Sequence, residues 1–135
     1  MERNVGRLIE VRVVPPLNVA VMHAGRASLV EAISRVVGRA VLVLDQRRVR
    51  VMPAKGLDAL AGFMREDNPR IERSALLLPA DNAILSMQIQ HAIRAAGNPE
   101  RRAFTDCDQC RSWLEEVLSD DELARLQVFL DEPIE

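Results

Sequence analysis

Two short apolar runs constrain this chain more than anything else in it. Residues 40–44 read AVLVL and residues 74–78 read SALLL, with no polar residue interleaved beyond the leading serine. A strand with one wet face alternates, whereas a run of strand length without alternation predicts a strand covered on both faces. Each run is followed by apolar residues at helical spacing: Leu57, Leu60, Ala61 and Met64 after the first, and Leu85, Ile89, Ala92/Ile93 and Ala96 after the second. Strands buried on both sides and joined by helices describe an α/β domain with a mixed, largely parallel sheet of about four to five strands and flanking helices.

The remaining segments fit this scheme. Leu8 to Val14 and Leu17 to Met22 are rich in Val, with Pro15-Pro16 between them, and read as a hairpin. Ser28 and Glu31 have capping-box spacing before a stripe of Leu29, Ile33 and Val36/Val37 that Gly38 ends. Asn68-Pro69 breaks the next helix, Asp81 or Asn82 caps the one after it, and Gly97-Asn98-Pro99 ends that one. Arg101 to Phe104 reads as a short strand, and Thr105 or Asp106 caps a helix carrying Trp113, Leu114 and Val117. Ser119 and Glu122 form a second capping box, opening a helix with Leu123, Leu126 and Leu130 on one face. At 135 residues the chain is one domain, taken as 1–118 with a C-terminal helical appendage at 119–135.

Composition excludes several functions. Aromatic residues make up 3%, with no Tyr, which leaves no stacking platform for nucleic acid. The longest uncharged run, residues 13–25, contains Pro15-Pro16, Asn18 and His23 and does not suit a bilayer. The N-terminus lacks the pattern of a secretory leader, and with two cysteines the expectation is a cytoplasmic protein in a reducing compartment. Charge is uneven: residues 1–75 hold 13 Lys/Arg against 8 Asp/Glu (+5), and residues 76–135 hold 5 against 12 (−7). Such a dipolar surface suits protein partners or self-association.

Chemistry-bearing constellations are few. Arg47, Arg48, Arg50 and Lys55 crowd into nine residues at a strand-to-helix junction just after Asp45. In open α/β sheets ligands gather at the carboxyl ends of strands, so this cationic rim suits an acidic protein surface or an anion, with a solvated connector as the plain alternative. Neither GxGxxG nor GxxxxGK[ST] is present, so no nucleotide cofactor is expected. Cys107 and Cys110 form a CxxC at a helix start, but Asp106 and Asp108 disfavour thiolates there. Two cysteines and the distant His23 and His91 do not make a zinc set. No catalytic triad can be read from the spacing, so no enzyme, catalytic residue or metal site is expected.

The stretch AVLVLDQRRVRVMPAKGLDAL, residues 40–60, resembles the central signature of STAS domains, the family of anti-sigma-factor antagonists. That signature runs strand, Asp, connector, then Asp-Ser-Ser/Thr-Gly-Leu at a helix N-terminus. Here Val-Met-Pro-Ala-Lys-Gly-Leu occupies its place, and the Asp45-to-Gly56 spacing fits without a gap. Phe104-Thr-Asp, Cys110 and Trp113-Leu114 resemble the ending of the bacterial STAS/SEC14-like group. The resemblance implies a STAS-like fold over about residues 8–118. It also implies a partner-binding site at Asp45, Arg47, Arg48, Arg50, Pro53, Ala54, Lys55 and Gly56. Ala54 stands where the family's phosphorylated serine would be, so the usual switch is missing. The function this implies is a non-enzymatic interaction module whose partner is a signalling regulator or another STAS-containing protein, with a homodimer as a further arrangement. The resemblance also offers an alternative, a small apolar-ligand carrier or sensor. Close packing of a Val/Leu/Ala core argues against the room that alternative needs.

Overall fold

The computed structural model describes residues 2–133. In chain order the elements are β1 (Glu2–Val5), β2 (Leu8–Arg12), α1 (Val19–Ser34), β3 (Ala40–Asp45), α2 (Ala54–Asp67), a 3-10 turn (Asn68–Arg70), β4 (Ile71–Leu77), α3 (Ala83–Ala96), β5 (Arg101–Phe104), α4 (Cys107–Glu115) and α5 (Asp120–Asp131). The strands form one sheet in the order β1-β2-β3-β4-β5, with β1 antiparallel to β2 and the other pairs parallel. The domain is α/β with a mixed, largely parallel sheet, as the apolar runs require.

One face of the sheet carries Ile9, Leu42, Leu44, Leu76 and Ala103 and is covered by α1, α2 and α3. The other carries Leu8, Val41, Val43, Ala75 and Leu77 and is covered by α4 and α5. Because parallel strands are joined by crossovers, the N-termini of α1 to α4 all gather at the carboxyl ends of the strands.

Two expectations are corrected. The strand pair lies further towards the N-terminus: β1 pairs with β2, and the turn between them uses Gly6 at φ +56°. Residues 17–22 are not a second hairpin strand. Asn18 caps α1 by accepting from the Val21 amide at 2.9 Å, and the helix starts at Val19. Leu17, Val19 and Val21 alternate like a strand, but the segment must cross back over the sheet, and tertiary context overrides local propensity. Ser28 therefore lies inside α1 and caps nothing, and the helix ends at Ser34 rather than at Gly38.

Candidate functional site

The Asp45–Gly56 junction splits into two unlike parts. Asp45 ends β3 facing α4 and α5 and is buried. Its Oδ1 accepts from the Arg47 amide at 3.0 Å and from Arg47 Nε at 2.9 Å, while Oδ2 accepts from Arg47 Nη2 at 3.0 Å. Arg12 Nε lies 3.2 Å from the same Oδ2. Arg47 Nη1 also donates to Cys107 Sγ at 3.5 Å. Bidentate pairing with a buried carboxylate is structural work, and removing one partner leaves an uncompensated buried charge. The hydrogen bonds to Asp45, partly offset by burial, raise the Arg47 pKa. As accessible partner contacts, Asp45 and most of Arg47 drop out.

The rest of the junction faces solvent. Arg50 is exposed and lies 3.7 Å from the exposed Asp81, a pairing that solvent and salt largely screen. Arg48 is half-buried, and Pro53, Ala54 and Lys55 are exposed around the start of α2. Pro53 is the N-cap without a side-chain hydrogen bond. Gly56 is buried, and a Cβ there would lie 3.2 Å from Met22 Sδ of α1. Segment 50–52 is clamped to α3: Asn82 Nδ2 donates to the Arg50 carbonyl at 2.6 Å, and Gln88 exchanges bonds with the Met52 backbone at 3.1 and 2.9 Å. Beside this clamp Val51, Ile84 and Met87 are exposed.

The environment of the CxxC disfavours thiolates. Burial pushes the Cys110 thiol up to about 12, and burial raises that of Cys107 against the pull of Arg47. Among the described residues no group of three or more His, Cys, Asp or Glu is placed to hold a metal ion. None of their helices is long and apolar enough to cross a membrane.

The feature that sequence reasoning missed lies under α1. A cavity of about 290 Å³ separates α1 and α2 from the sheet. Leu42 and Leu44 form part of its sheet-side wall, with Met22, Phe63 and Met64 of the helices and Met52 of the connector around it. Its cause is the way α1 packs. Only Ala32 and Ile33 of α1 are buried, and none of residues 19–31 is. The C-terminal turn of the helix is therefore seated on Ile9, Ala40 and Leu42 while its N-terminal part is held off the sheet. Arg26 holds it there: its Nη2 donates to Glu66 Oε2 and Asp67 Oδ1, each at 3.0 Å, and its guanidinium lies 4.8 Å from the centre of the Phe63 ring. Val14 and Val21 line the cavity and are also exposed, so its rim is apolar. A signal was available in the sequence, since α1 reads VAVMHAGRASLV with no sharp polar face.

The apolar wall has polar ends. Gln46, at the carboxyl end of β3, is buried and its Oε1 has no hydrogen-bond partner. At the other end are Ser74, whose buried Oγ also has none, and Arg101 and Asp67. Ser74 and Arg101 are register neighbours on β4 and β5. Arg101 donates from Nε to Asn68 Oδ1 and from Nη2 to the Met64 carbonyl, each at 3.0 Å. Burial lowers the Arg101 pKa to about 10. Burial raises that of Asp67, against the pull of Arg26 and Arg101.

A scan of protein-family models, a search of curated proteins and a search of solved structures each find no match to this chain.

Proposed function

We propose that this domain is a non-enzymatic carrier or sensor that binds a small apolar molecule between α1 and the sheet. The observation that carries this reading is the cavity of about 290 Å³ beneath a helix whose N-terminal part is not buried. Interiors ordinarily close to crystal-like density, so a lined void of this size is a departure. It lies just below the range of ordinary ligand pockets and has their character, apolar walls with a few convergent polar groups. An apolar cavity of ~150 Å³ already accepts benzene, so roughly a dozen heavy atoms would fit here.

The test uses 1-decanol and thermal denaturation with native mass spectrometry. One decanol per chain and a rising Tm are the expected results. Leu44→Trp, which fills the cavity from the sheet side, is expected to remove both while leaving the circular dichroism unchanged. A wild-type chain that binds no alkyl probe would sink the reading.

The second reading is the STAS-like interaction module, located in a cytoplasm. Its support is the strand pair followed by alternating helices and strands, and the exposed turn of Pro53, Ala54 and Lys55 beside Val51, Ile84 and Met87. Because Ala54 has no hydroxyl, that turn would act without phosphorylation. Arg48→Glu with Lys55→Glu tests it. The pair is expected to leave Tm within a few degrees and to abolish capture of the main partner from native lysate. Retention of every partner would remove this surface from consideration. Arg47→Glu is unsuitable, because it turns a buried ion pair into a buried repulsion.

A further inference from the structure

The polar end of the cavity specifies more than an apolar guest. Resting on the ligand-binding reading above, we infer that the guest is an anionic amphiphile, a medium-length carboxylate, with its headgroup against Arg101 and Ser74 and its chain along Leu42 and Leu44 towards Gln46.

Three observations carry this. The first is charge. Arg101 is 4% exposed, and its hydrogen-bond acceptors, Asn68 Oδ1 and the Met64 carbonyl, are both neutral. The nearby buried carboxylate, Asp67, is already engaged by Arg26 at 3.0 Å. Of the three guanidiniums in the lining, Arg12 pairs with Asp45 and Glu132 and Arg26 with Glu66 and Asp67, so Arg101 is the one left with neutral hydrogen-bond acceptors, a buried charge that is costly unless an anion joins it. The second is hydrogen bonding. Ser74 Oγ is fully buried and without a partner, a state that native structures rarely leave unexplained. Ser74 and Arg101 sit side by side on adjacent strands, so a carboxylate placed between them accepts from both. The third is shape. Leu42 is the register partner of Ser74, and Gln46 lies four residues further along the same chain, about 13 Å at strand rise. The wall between them is Leu42 and Leu44, so an alkyl chain of about ten carbons spans it. A dianionic phosphate suits the site less well, because Asp67 stands beside the headgroup position and repels a second negative charge. An alcohol would leave the Arg101 guanidinium with neutral acceptors alone.

The test compares decanoate, 1-decanol and decyl phosphate by calorimetry on the full chain, with Ser74→Ala, Arg101→Gln and Leu44→Trp. Decanoate is expected to bind one per chain, at least tenfold tighter than decanol or decyl phosphate. Ser74→Ala removes only an unpartnered hydroxyl, so the free protein should keep its Tm while decanoate weakens roughly tenfold, as loss of a hydrogen bond to a charged group does. Arg101→Gln should lose decanoate and keep decanol. Should that variant fail to fold, Ser74→Ala decides alone. Leu44→Trp should block both ligands. Equal affinities for decanoate and decanol, unchanged by Ser74→Ala, would overturn the carboxylate and leave the apolar cavity standing. Tighter binding of decyl phosphate would overturn it in favour of a phosphate headgroup. Binding of none of the three would overturn both this inference and the reading it rests on.

Discussion

At the scale of single residues, one carboxylate does two jobs. Glu122 closes the capping box of α5: its Oε1 accepts from the Ser119 amide at 2.9 Å, and the Ser119 hydroxyl accepts from the Glu122 amide at 3.2 Å. Its other oxygen accepts from the Arg7 amide at 2.7 Å, in the turn between β1 and β2. That turn leaves no room for a side chain at residue 6, where a Cβ would stand 2.5 Å from Glu122 Oε2 and φ is positive. Burial pushes the Glu122 pKa up, but the bonds from Ser119 and Arg7 outweigh it and hold it below the ordinary value. The sign follows from linkage. A depressed carboxylate adds stability that is fully present above the unfolded-state pKa and is lost as pH falls through the folded one. Glu122→Gln is therefore expected to cost about 1–3 kcal/mol at neutral pH and less in acid. Urea titrations at both pH values check this, and an equal cost in acid would contradict it.

At the scale of elements, α1 and α5 are opposites. α5 is seated by Leu126, Phe129 and Leu130, all buried, whereas α1 buries only Ala32 and Ile33 near its end, with Met22 and Leu29 half-buried. Segments with few buried apolar contacts open at low free energy. Amides of residues 19–31 are expected to exchange hydrogen faster than those of α2 and α3, and to slow when the cavity is filled. Arg26→Ala, which releases α1 from Glu66 and Asp67, should speed that exchange and raise ligand dissociation rates several-fold. Exchange as slow in α1 as in α2 would mean that the helix does not gate the cavity.

At the scale of the whole molecule, the segment expected as an appendage packs against the sheet. α5 shares a buried cluster with Leu8, Val41 and Val43. It is also tied to β2 by charge: Glu10 Oε1 accepts from Arg125 Nε and Nη2 at 3.1 and 2.9 Å, and Arg12 Nη2 donates to the Phe129 carbonyl at 3.2 Å. Arg12 with Glu132 at 3.7 Å and Arg73 with Glu116 at 2.8 Å partly neutralise the basic first part of the chain against its acidic end within one molecule. The apolar stripe of α5 is used on its own sheet. Ending the chain after Leu118 would uncover that cluster. Large-to-small changes at single core sites cost about 2–5 kcal/mol, and natural domains have about 5–15 in all. The truncated chain is expected to lose its cooperative thermal transition. A truncated chain that melts within a few degrees of the full one would show α5 to be dispensable.

The sequence by itself determined the architecture of β3 to α5. Unbroken apolar runs such as residues 40–44 demand cover on both faces, and local devices are complete in themselves: the Ser119–Glu122 box, the Gly97 cap and the break at Asn68-Pro69. It misplaced the N-terminal strand pair because residues 17–22 satisfy both periods, and only the crossover to β3 decides for a helix. The predicted cationic rim came apart for a similar reason. Its residues are adjacent in the chain, but the pleat sends Asp45 to one face of the sheet and Gln46 to the other, drawing Arg47 down to a buried carboxylate. The cavity was beyond sequence, since a void is a relation between surfaces. It exists because α1 is buried only near its end and half-buried before it, while Arg26 of α1, Asp67 of α2, Ser74 of β4 and Arg101 of β5 come together from four separate elements.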